Sequence, residues 1–275
     1  MLKKISKALI PILVFSNLLV GCSFIDNAKT KMGLKNNDFE YIKNENVDQI
    51  IIQSTRDTGF RFVVTDKRTI QDMYSLLSSS KEAKEKTDLE PDYIFEMHMG
   101  DEVKKFNYVV GVNSKDKGNF YDDKKIYSVS SRLDNDIIQN LSFVRKPREF
   151  ASIYFGSILK VLNEKKDYLN EGNKKVGIDM LSDVECTKYM LSTDIEDFKK
   201  NASKIVNNIG VIKGDKDKYD IIITVSNQGY TSKTFKTSIS IENKIDHSYM
   251  PYYVTGNYDL NSWEISLVTK KPSDW

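Results

Sequence analysis

Strict alternation of apolar residues is the feature that most limits what this chain can fold into. Tyr93, Phe95, Met97 and Met99 fall at every second position before Gly100-Asp101, and Phe106, Tyr108 and Val110 do so after it. A strand turns successive side chains to opposite faces, so this pattern reads as an antiparallel hairpin with one buried face. Ile221, Ile223 and Val225, a turn at Asn227-Gln228-Gly229, and then Phe235, Thr237, Ile239 and Ile241 repeat the arrangement far down the chain. Between and before these hairpins the period changes. Thr65-Asp66 supplies a helix N-cap, and Ile70, Met73, Tyr74 and Leu77 follow at the spacing of one helical face. Helices laid on one face of antiparallel sheets make an α+β fold, and both halves of the chain carry that signature.

Further elements fill in the two halves. Ile50-Ile51-Ile52 and Phe60-Arg61-Phe62-Val63-Val64 flank a polar turn and form another hairpin. Residues 81–86, rich in lysine, are a solvated connection. Ile126-Tyr127-Ser128-Val129 is a strand, and a closing helix carries Leu133, Ile137, Ile138 and Leu141. The segment Val144-Arg145-Lys146-Pro147-Arg148 is basic and places Pro147 to begin a helix, which makes it the boundary between modules. The long helix beyond it has Phe150, Ile153, Tyr154, Ile158, Val161, Leu162 and Leu169 as its apolar stripe and Gly172 as its cap. A strand is expected within 184–191. Thr193-Asp194-Ile195-Glu196 is a capping box opening a helix with Ile195, Phe198, Ala202, Ile205, Val206 and Ile209 on one face. Tyr252-Tyr253-Val254 and Trp263-Glu264-Ile265-Ser266-Leu267 complete a meander. The expected layout is therefore a tether over 22–45, a first domain over 46–143 and a second over 148–275. The recurrence of strand, capped helix, strand and hairpin leaves a divergent duplication and a coincidence of a common order both open.

The N-terminus gives an address. Lys3, Lys4 and Lys7 precede an apolar segment over 8–20 that is shorter than the roughly 20 residues a permanent membrane span needs. It closes on Leu19-Val20-Gly21-Cys22, which resembles the lipobox of bacterial lipoproteins. That resemblance implies cleavage between Gly21 and Cys22, removal of residues 1–21 as a signal peptide, and a diacylglyceryl group on the Cys22 thiol. Two acyl chains anchor stably, at about 0.8 kcal/mol per buried CH₂. The expectation is a protein held at the cell membrane on its extracytoplasmic face. Ser23 and the abundance of Lys, Asn and Ile point to a low-GC Gram-positive source.

Charge and cysteine content exclude other classes. Loss of residues 1–21 takes three lysines and no acid, so the 41 basic residues become 38 against 39 acidic ones. A balanced chain lacks the basic footprint that nucleic acid requires, and no nucleic-acid partner is expected. With Cys22 acylated, Cys186 has no partner for a disulfide, and its apolar neighbours make it a buried, inert strand thiol.

No catalytic set assembles from the sequence. His98 lies between Met97 and Met99, but alternation places the methionines on the opposite face, so the three cannot share a metal. His247 sits in a polar turn. No metal site and no cofactor is expected. The acids of 214–220 lack the glycine and distal glutamate of a calcium loop. Ser157-Ile158-Leu159-Lys160 matches the S-x-x-K of penicillin-recognising enzymes and Lys236-Thr237-Ser238 nearly matches their K-T-G, yet Ser157 falls mid-helix. Asp122-Asp123 belongs to a charged loop. The densest aromatic cluster, Tyr249-Met250-Pro251-Tyr252-Tyr253, reads as an irregular, partly open edge, and Tyr249, Tyr252 and Tyr253 are the expected partner-binding residues.

The run Glu90-Pro91-Asp92-Tyr93 before an alternating strand, with Ile126-Tyr127-Ser128 leading into a helix, resembles the small YhfM-like domain of Gram-positive lipoproteins over about residues 47–143. The resemblance implies an α+β lipoprotein domain and carries no catalytic motif. The long helix, capped helix and four-strand meander of the second half look cystatin-like or NTF2-like, a topological likeness that implies no function. The expectation is a non-catalytic binding or accessory protein of the cell envelope with a protein or glycan partner. The competing expectation is a cell-wall hydrolase or transferase whose carboxylates lie far apart in sequence.

Overall fold

The computed structural model describes residues 35–43, 46–112, 117–141, 146–273 and 275. The expected signal segment, with Gly21 and Cys22, lies outside the described residues. The first sheet has the order β2-β1-β5-β6-β8-β9-β3, with every neighbouring pair antiparallel. Its strands are β1 (Gln49–Ser54), β2 (Arg61–Val64), β3 (Lys81–Glu82), β5 (Tyr93–Met99), β6 (Glu102–Tyr108), β8 (Phe120–Tyr121) and β9 (Ile126–Ser128). A separate parallel pair joins β4 (Glu85–Lys86) to β7 (Lys117–Gly118). The lysine-rich connection expected over 81–86 thus contains two short strands, exposed on both and read in sequence only for their charge.

Alternation did its work in this sheet. Phe95, Met97, Phe106 and Tyr108 are buried on its inner face, and Phe106 stacks on Phe120 at 4.8 Å between ring centres. Helix α1 (Glu40–Lys43) precedes the sheet, and helix α2 (Lys67–Ser78) covers it. Asp66 is the N-cap of α2, its carboxylate accepting from the Thr69 amide at 2.8 Å, and Ile70, Met73, Tyr74 and Leu77 are buried as their spacing requires. The tether expected to reach residue 45 stops sooner. Phe39 and Ile42 are buried in this core, Phe39 lying 4.9 Å from the Tyr127 ring, and residues 35–43 therefore belong to the module. Isolated apolar residues in a polar stretch showed no period by which to recognise them.

The second sheet runs β11-β10-β12-β13-β14-β15. Strand β10 (Val176–Asp179) is parallel to both β11 (Ile209–Val211) and β12 (Ile221–Tyr230), whereas β13 (Thr234–Asn243), β14 (Tyr249–Asp259) and β15 (Ser262–Val268) continue antiparallel. The fold is α+β, with one parallel corner. Between the sheets the chain forms an i→i+5 helical segment, Leu133–Ile138, continued by α3 (Gln139–Leu141), and then α4 (Phe150–Glu164) and α5 (Lys166–Asn170). Helices α6 (Val184–Thr187) and α7 (Ser192–Ser203) follow.

The stripe of α4 packs as expected. Gly256 on β14 permits the contact, because a Cβ there would meet Ile153 Cδ1 at 2.4 Å. Thr237 is on the buried face and donates to the Ser226 carbonyl at 3.0 Å, which is how a hydroxyl is tolerated there.

Several boundaries moved. Pro147 does not begin α4; Glu149, in left-handed conformation at φ 45°, precedes Phe150 instead. The long helix breaks at Lys165, and Gly172, at φ 70°, ends the region beyond it. Residues 184–191 hold α6 and no strand; the missed strand is β10, short and buried along its whole length, so that it shows no alternation. Ile209 is in β11, since α7 ends at Ser203. The turn expected at 227–229 is a bulge, with Gly229 at φ 116° and the chain reversing after Tyr230.

In each half the first strand lies between its second strand and a later hairpin (β2-β1-β5-β6 and β11-β10-β12-β13). In the first, the helix follows the antiparallel hairpin β1-β2; in the second, α7 lies between β10 and β11, and its crossover makes them parallel.

Candidate functional site

A polar node joins the two modules. Asp92, just ahead of β5, is 2% exposed, and its carboxylate accepts three bonds: from Arg56 Nη1 at 2.6 Å, from the Val110 amide at 2.8 Å and from the Ser192 amide at 2.8 Å. Ser192 is the first residue of α7, whose opening amides have no helical acceptor. A carboxylate of the first module thus caps a helix of the second, where the helix dipole also favours a negative charge. Arg56 Nη2 donates to Ser192 Oγ at 2.5 Å, Ser192 Oγ donates to the Glu90 carbonyl at 2.8 Å, and Lys213 Nζ lies 2.5 Å from Glu90 Oε1.

Helix α7 begins one residue before the expected capping box. Leu191 is its N-cap, and a leucine side chain accepts nothing; Asp194 still reaches back, accepting from the Leu191 amide at 3.2 Å.

Beside the node opens a cleft of about 670 Å³, within the range of small-molecule sites. The first module contributes Phe60, Asp92, Tyr93 and Asp134, and the second Phe150, Tyr189 and Asp194. Its basic residues are Arg56, Lys146 and Lys188, against Asp57, Asp92, Asp134, Glu149 and Asp194. The lining is therefore acid-rich. A further cavity of about 530 Å³ is lined by Arg56, which also lines the first, and by Ser192.

Two carboxyls in the cleft are pushed above their ordinary range. For Asp134, burial is the main cause, opposed by the Gln139 side-chain amide at 2.7 Å and reinforced by the charge of Asp92. For Asp194, burial again leads, the Leu191 amide opposes it, and Asp92 adds to it while Lys146 subtracts. Asp134 belongs to the i→i+5 segment, with its backbone carbonyl accepting from the Gln139 amide. Such wide turns are frequent at functional sites. Tyr93 and Tyr108 are raised as well, by burial first and then by Asp134 and Asp92. The Tyr108 hydroxyl is fully buried and has no hydrogen-bond partner among the described residues.

The three tyrosines of the expected aromatic edge all border one pocket of about 320 Å³, with unequal burial. They lie on the regular strand β14, so alternation sends them to opposite faces. Tyr249 is 64% exposed, whereas Tyr252 is 3% exposed and packs in the second core. Tyr253 is half-buried, with its ring 5.3 Å from that of Trp275. Pro251 is paired with Ser240 on one side only, because β15 meets β14 from Tyr253 onward. Tyr252 packs into the second core while it still borders that pocket.

The other residues singled out in sequence have structural roles. Ser157 is buried and donates to the Ile153 carbonyl at 2.7 Å, and Lys160 donates to the Ile265 carbonyl. Met97 sulfur accepts from the Tyr41 hydroxyl at 3.1 Å, on the face opposite His98, whose Nε2 lies 3.6 Å from Glu96. His247 is exposed in a turn at φ 59°. Asp215 accepts from the Lys213 amide and Asp220 from the Lys175 amide. Asp122 accepts from the Lys124 and Lys125 amides. Cys186 is buried in α6, where burial first and Asp183 second push its thiol upward, away from reactivity.

Of the cleft's acids, the sequence singles out Asp92 only within a motif and Asp194 only as a cap. Residues 43–147 match the model of the family described as YhfM protein, so the first module is YhfM-like. No curated protein and no solved structure matches the chain. Among the described residues, no helix is long and apolar enough to cross a membrane.

Proposed function

We propose that this chain is a lipid-anchored protein of the cell envelope, tethered through a diacylglyceryl group on Cys22 at the extracytoplasmic face, and that it binds a protein or glycan partner without performing chemistry on it. The lipobox-like Leu19-Val20-Gly21-Cys22 supports the anchor, and the YhfM-like first module supports a lipoprotein context. The observation that carries the binding reading is the inter-module cleft. Its acids already serve the fold: Asp92 caps α7 and holds Arg56, Asp194 holds the Leu191 amide, and Asp134 holds Gln139. Strand β14 is the weaker candidate surface, because Tyr252 faces inward.

One observation favours the enzymatic alternative. Asp134 and Asp194 both have raised affinities for a proton in one cleft, which suits a general acid of a cell-wall hydrolase. Clearing of purified cell walls by the mature protein, lost in Asp134→Asn or Asp194→Asn, would establish that alternative. Undiminished wall turbidity, together with an envelope partner retained by wild type and by Tyr249→Ala but lost on Asp134→Lys, is the result the binding reading requires. Mass spectrometry of the mature N-terminus should find diacylglyceryl-cysteine at Cys22, and release of wild-type protein from membranes without detergent would refute the anchor.

A further inference from the structure

We propose that the pocket on the outer face of the second sheet, a site separate from the cleft, binds an uncharged carbohydrate, with sugar rings laid against Tyr249 and Tyr253 and sugar hydroxyls bonded to side chains of β12 and β13.

Strand register assembles the site. Ser238 on β13 sits between Ser226 on β12 and Tyr253 on β14, and Ser240 sits between Thr224 and Pro251. Paired residues share a face and every second residue returns to it, so four hydroxyl side chains form a square on the sheet, bordered by proline and tyrosine. With Gln228 and Tyr249 they line the pocket of about 320 Å³, which shares no lining residue with the inter-module cleft. That volume is at the low end of small-molecule sites.

Three observations select the ligand. The first is charge. Charged residues make up 29% of the chain, yet the pocket lining carries one, the exposed Lys271. The acids nearest in the register do not line it: Asp179, beside Thr224, is held by Lys216 at 3.1 Å, and Glu242 lies opposite Tyr249. An ion of either sign finds no fixed counter-charge there, so the complementary ligand is uncharged.

The second is the hydroxyls. Ser238 Oγ accepts from Gln228 Nε2 at 3.1 Å, while the hydroxyls of Thr224, Ser226 and Ser240 make no hydrogen bond among the described residues. Each can donate and accept, as sugar hydroxyls do. Strands favour β-branched and aromatic side chains, so three neighbouring serines inside a sheet are not what strand formation itself selects. Serine is also depleted at protein–protein interfaces, which sets a protein ligand aside here. The third is the rings. Tyr249 is 64% exposed, and Tyr253 is braced by the Trp275 ring at 5.3 Å, over which Lys236 Nζ lies at 5.8 Å. The negative face of an aromatic ring attracts the C–H groups of a sugar ring.

The test uses the whole mature protein and three probes titrated by calorimetry at neutral pH: the N-acetylglucosamine trimer, its deacetylated cationic form, and the anionic galacturonate trimer. The uncharged trimer should bind about fivefold or more tighter than either charged one. Tyr249→Ala, at an exposed position where folding is not at stake, should weaken it about tenfold, whereas Tyr249→Phe keeps the ring and should hold affinity within about twofold. Ser240→Ala should weaken it about threefold, and Lys271→Met should leave it within about twofold. Asp134→Lys, in the cleft, should also leave it within about twofold. Absence of binding by the uncharged trimer overturns the inference, as does a charged trimer binding equally well or better, or affinity that survives Tyr249→Ala and Ser240→Ala. The cleft is judged separately by the envelope pull-down with Asp134→Lys.

Discussion

Replacing Arg56 by alanine tests the node on which the two modules meet. The Arg56 and Asp92 side chains are 13% and 1% exposed, so their ion pair is buried, and removing one partner strands a carboxylate in a poorly solvated place. Breaking a buried pair in this way costs about 3–5 kcal/mol in general. Asp92 keeps the Val110 and Ser192 amides, each at 2.8 Å, which partly stabilise the stranded charge. The expected loss is therefore at or just below the bottom of that range, about 2–3 kcal/mol. At about 2–4 °C per kcal/mol for a chain of this size, the midpoint should fall by roughly 4–12 °C. Asp92→Asn should cost about 2 kcal/mol, because its amide nitrogen must face either the Val110 or the Ser192 donor. Urea unfolding followed by circular dichroism measures both, with Lys188→Ala as a control: its pair with Glu185 is 68% exposed on the acid side and should contribute no more than about 0.5 kcal/mol. Hydrogen exchange supplies a local readout, since the Ser192 amide should be protected in wild type and should lose protection in Asp92→Ala. A Ser192 amide that exchanges freely in wild type, or an Arg56→Ala loss no larger than that of Lys188→Ala, would refute the reasoning.

Tyr252→Ala should destabilise by about 3–5 kcal/mol as a core deletion, while Tyr249→Ala should change stability by less than about 0.5 kcal/mol; equal effects in a denaturation series would return Tyr252 to the surface. Gly118→Ala places a Cβ 2.4 Å from Ile126 Cγ2 and 2.7 Å from the Tyr127 carbonyl oxygen, so it should cost about 1–3 kcal/mol, and a neutral thermal shift would contradict the packing of β7 on β9. Asp183 is buried beside Tyr154 and Cys186, and burial raises its pKa. The folded state therefore holds a proton that the unfolded chain releases near pH 4, roughly, so the contribution of Asp183 is full below that pH and is lost as pH rises through the folded pKa. Asp183→Asn should flatten that decline in urea midpoints measured from about pH 4 to about pH 7, and an unchanged slope would assign it to other groups.

How much of this was legible in the sequence depended on whether the signal was periodic. The β5-β6 hairpin, the Asp66-capped helix and the stripe of α4 are local, repeat over several turns or residues, and bury one face; their patterns placed Phe95, Met73 and Ile158 correctly in the cores. Short elements gave no such signal. Strand β10 is buried along its whole length and shows no alternation, and the three-residue β11 was absorbed into the preceding helical pattern. Pro251 misled in the other direction: it marked Tyr249 to Tyr253 as irregular, yet it is paired with Ser240 in regular β14, at the end of the strand that β15 does not reach.

The cleft was illegible for a different reason. Three of its five carboxyls come from positions 92, 134 and 194, each in a separate local context, and each with a plausible local role: one before a strand, one in a helix, one in a cap. Only the docking of α7 onto the Glu90-to-Tyr93 run brings them together, and that contact leaves no periodic trace in either segment. A motif did touch it. The Glu90-Pro91-Asp92-Tyr93 run that marks the resemblance of the first module is the run that caps α7 and receives Ser192. Pro91 favours extended backbone in the residue before it, and the segment it stiffens presents the Glu90 carbonyl and the Asp92 carboxylate to one serine. The residues that identify the first module are thus also the residues that bind the second, and a change at Asp92 should be felt in the cleft through α7 and Asp194 as well as in the stability of the node.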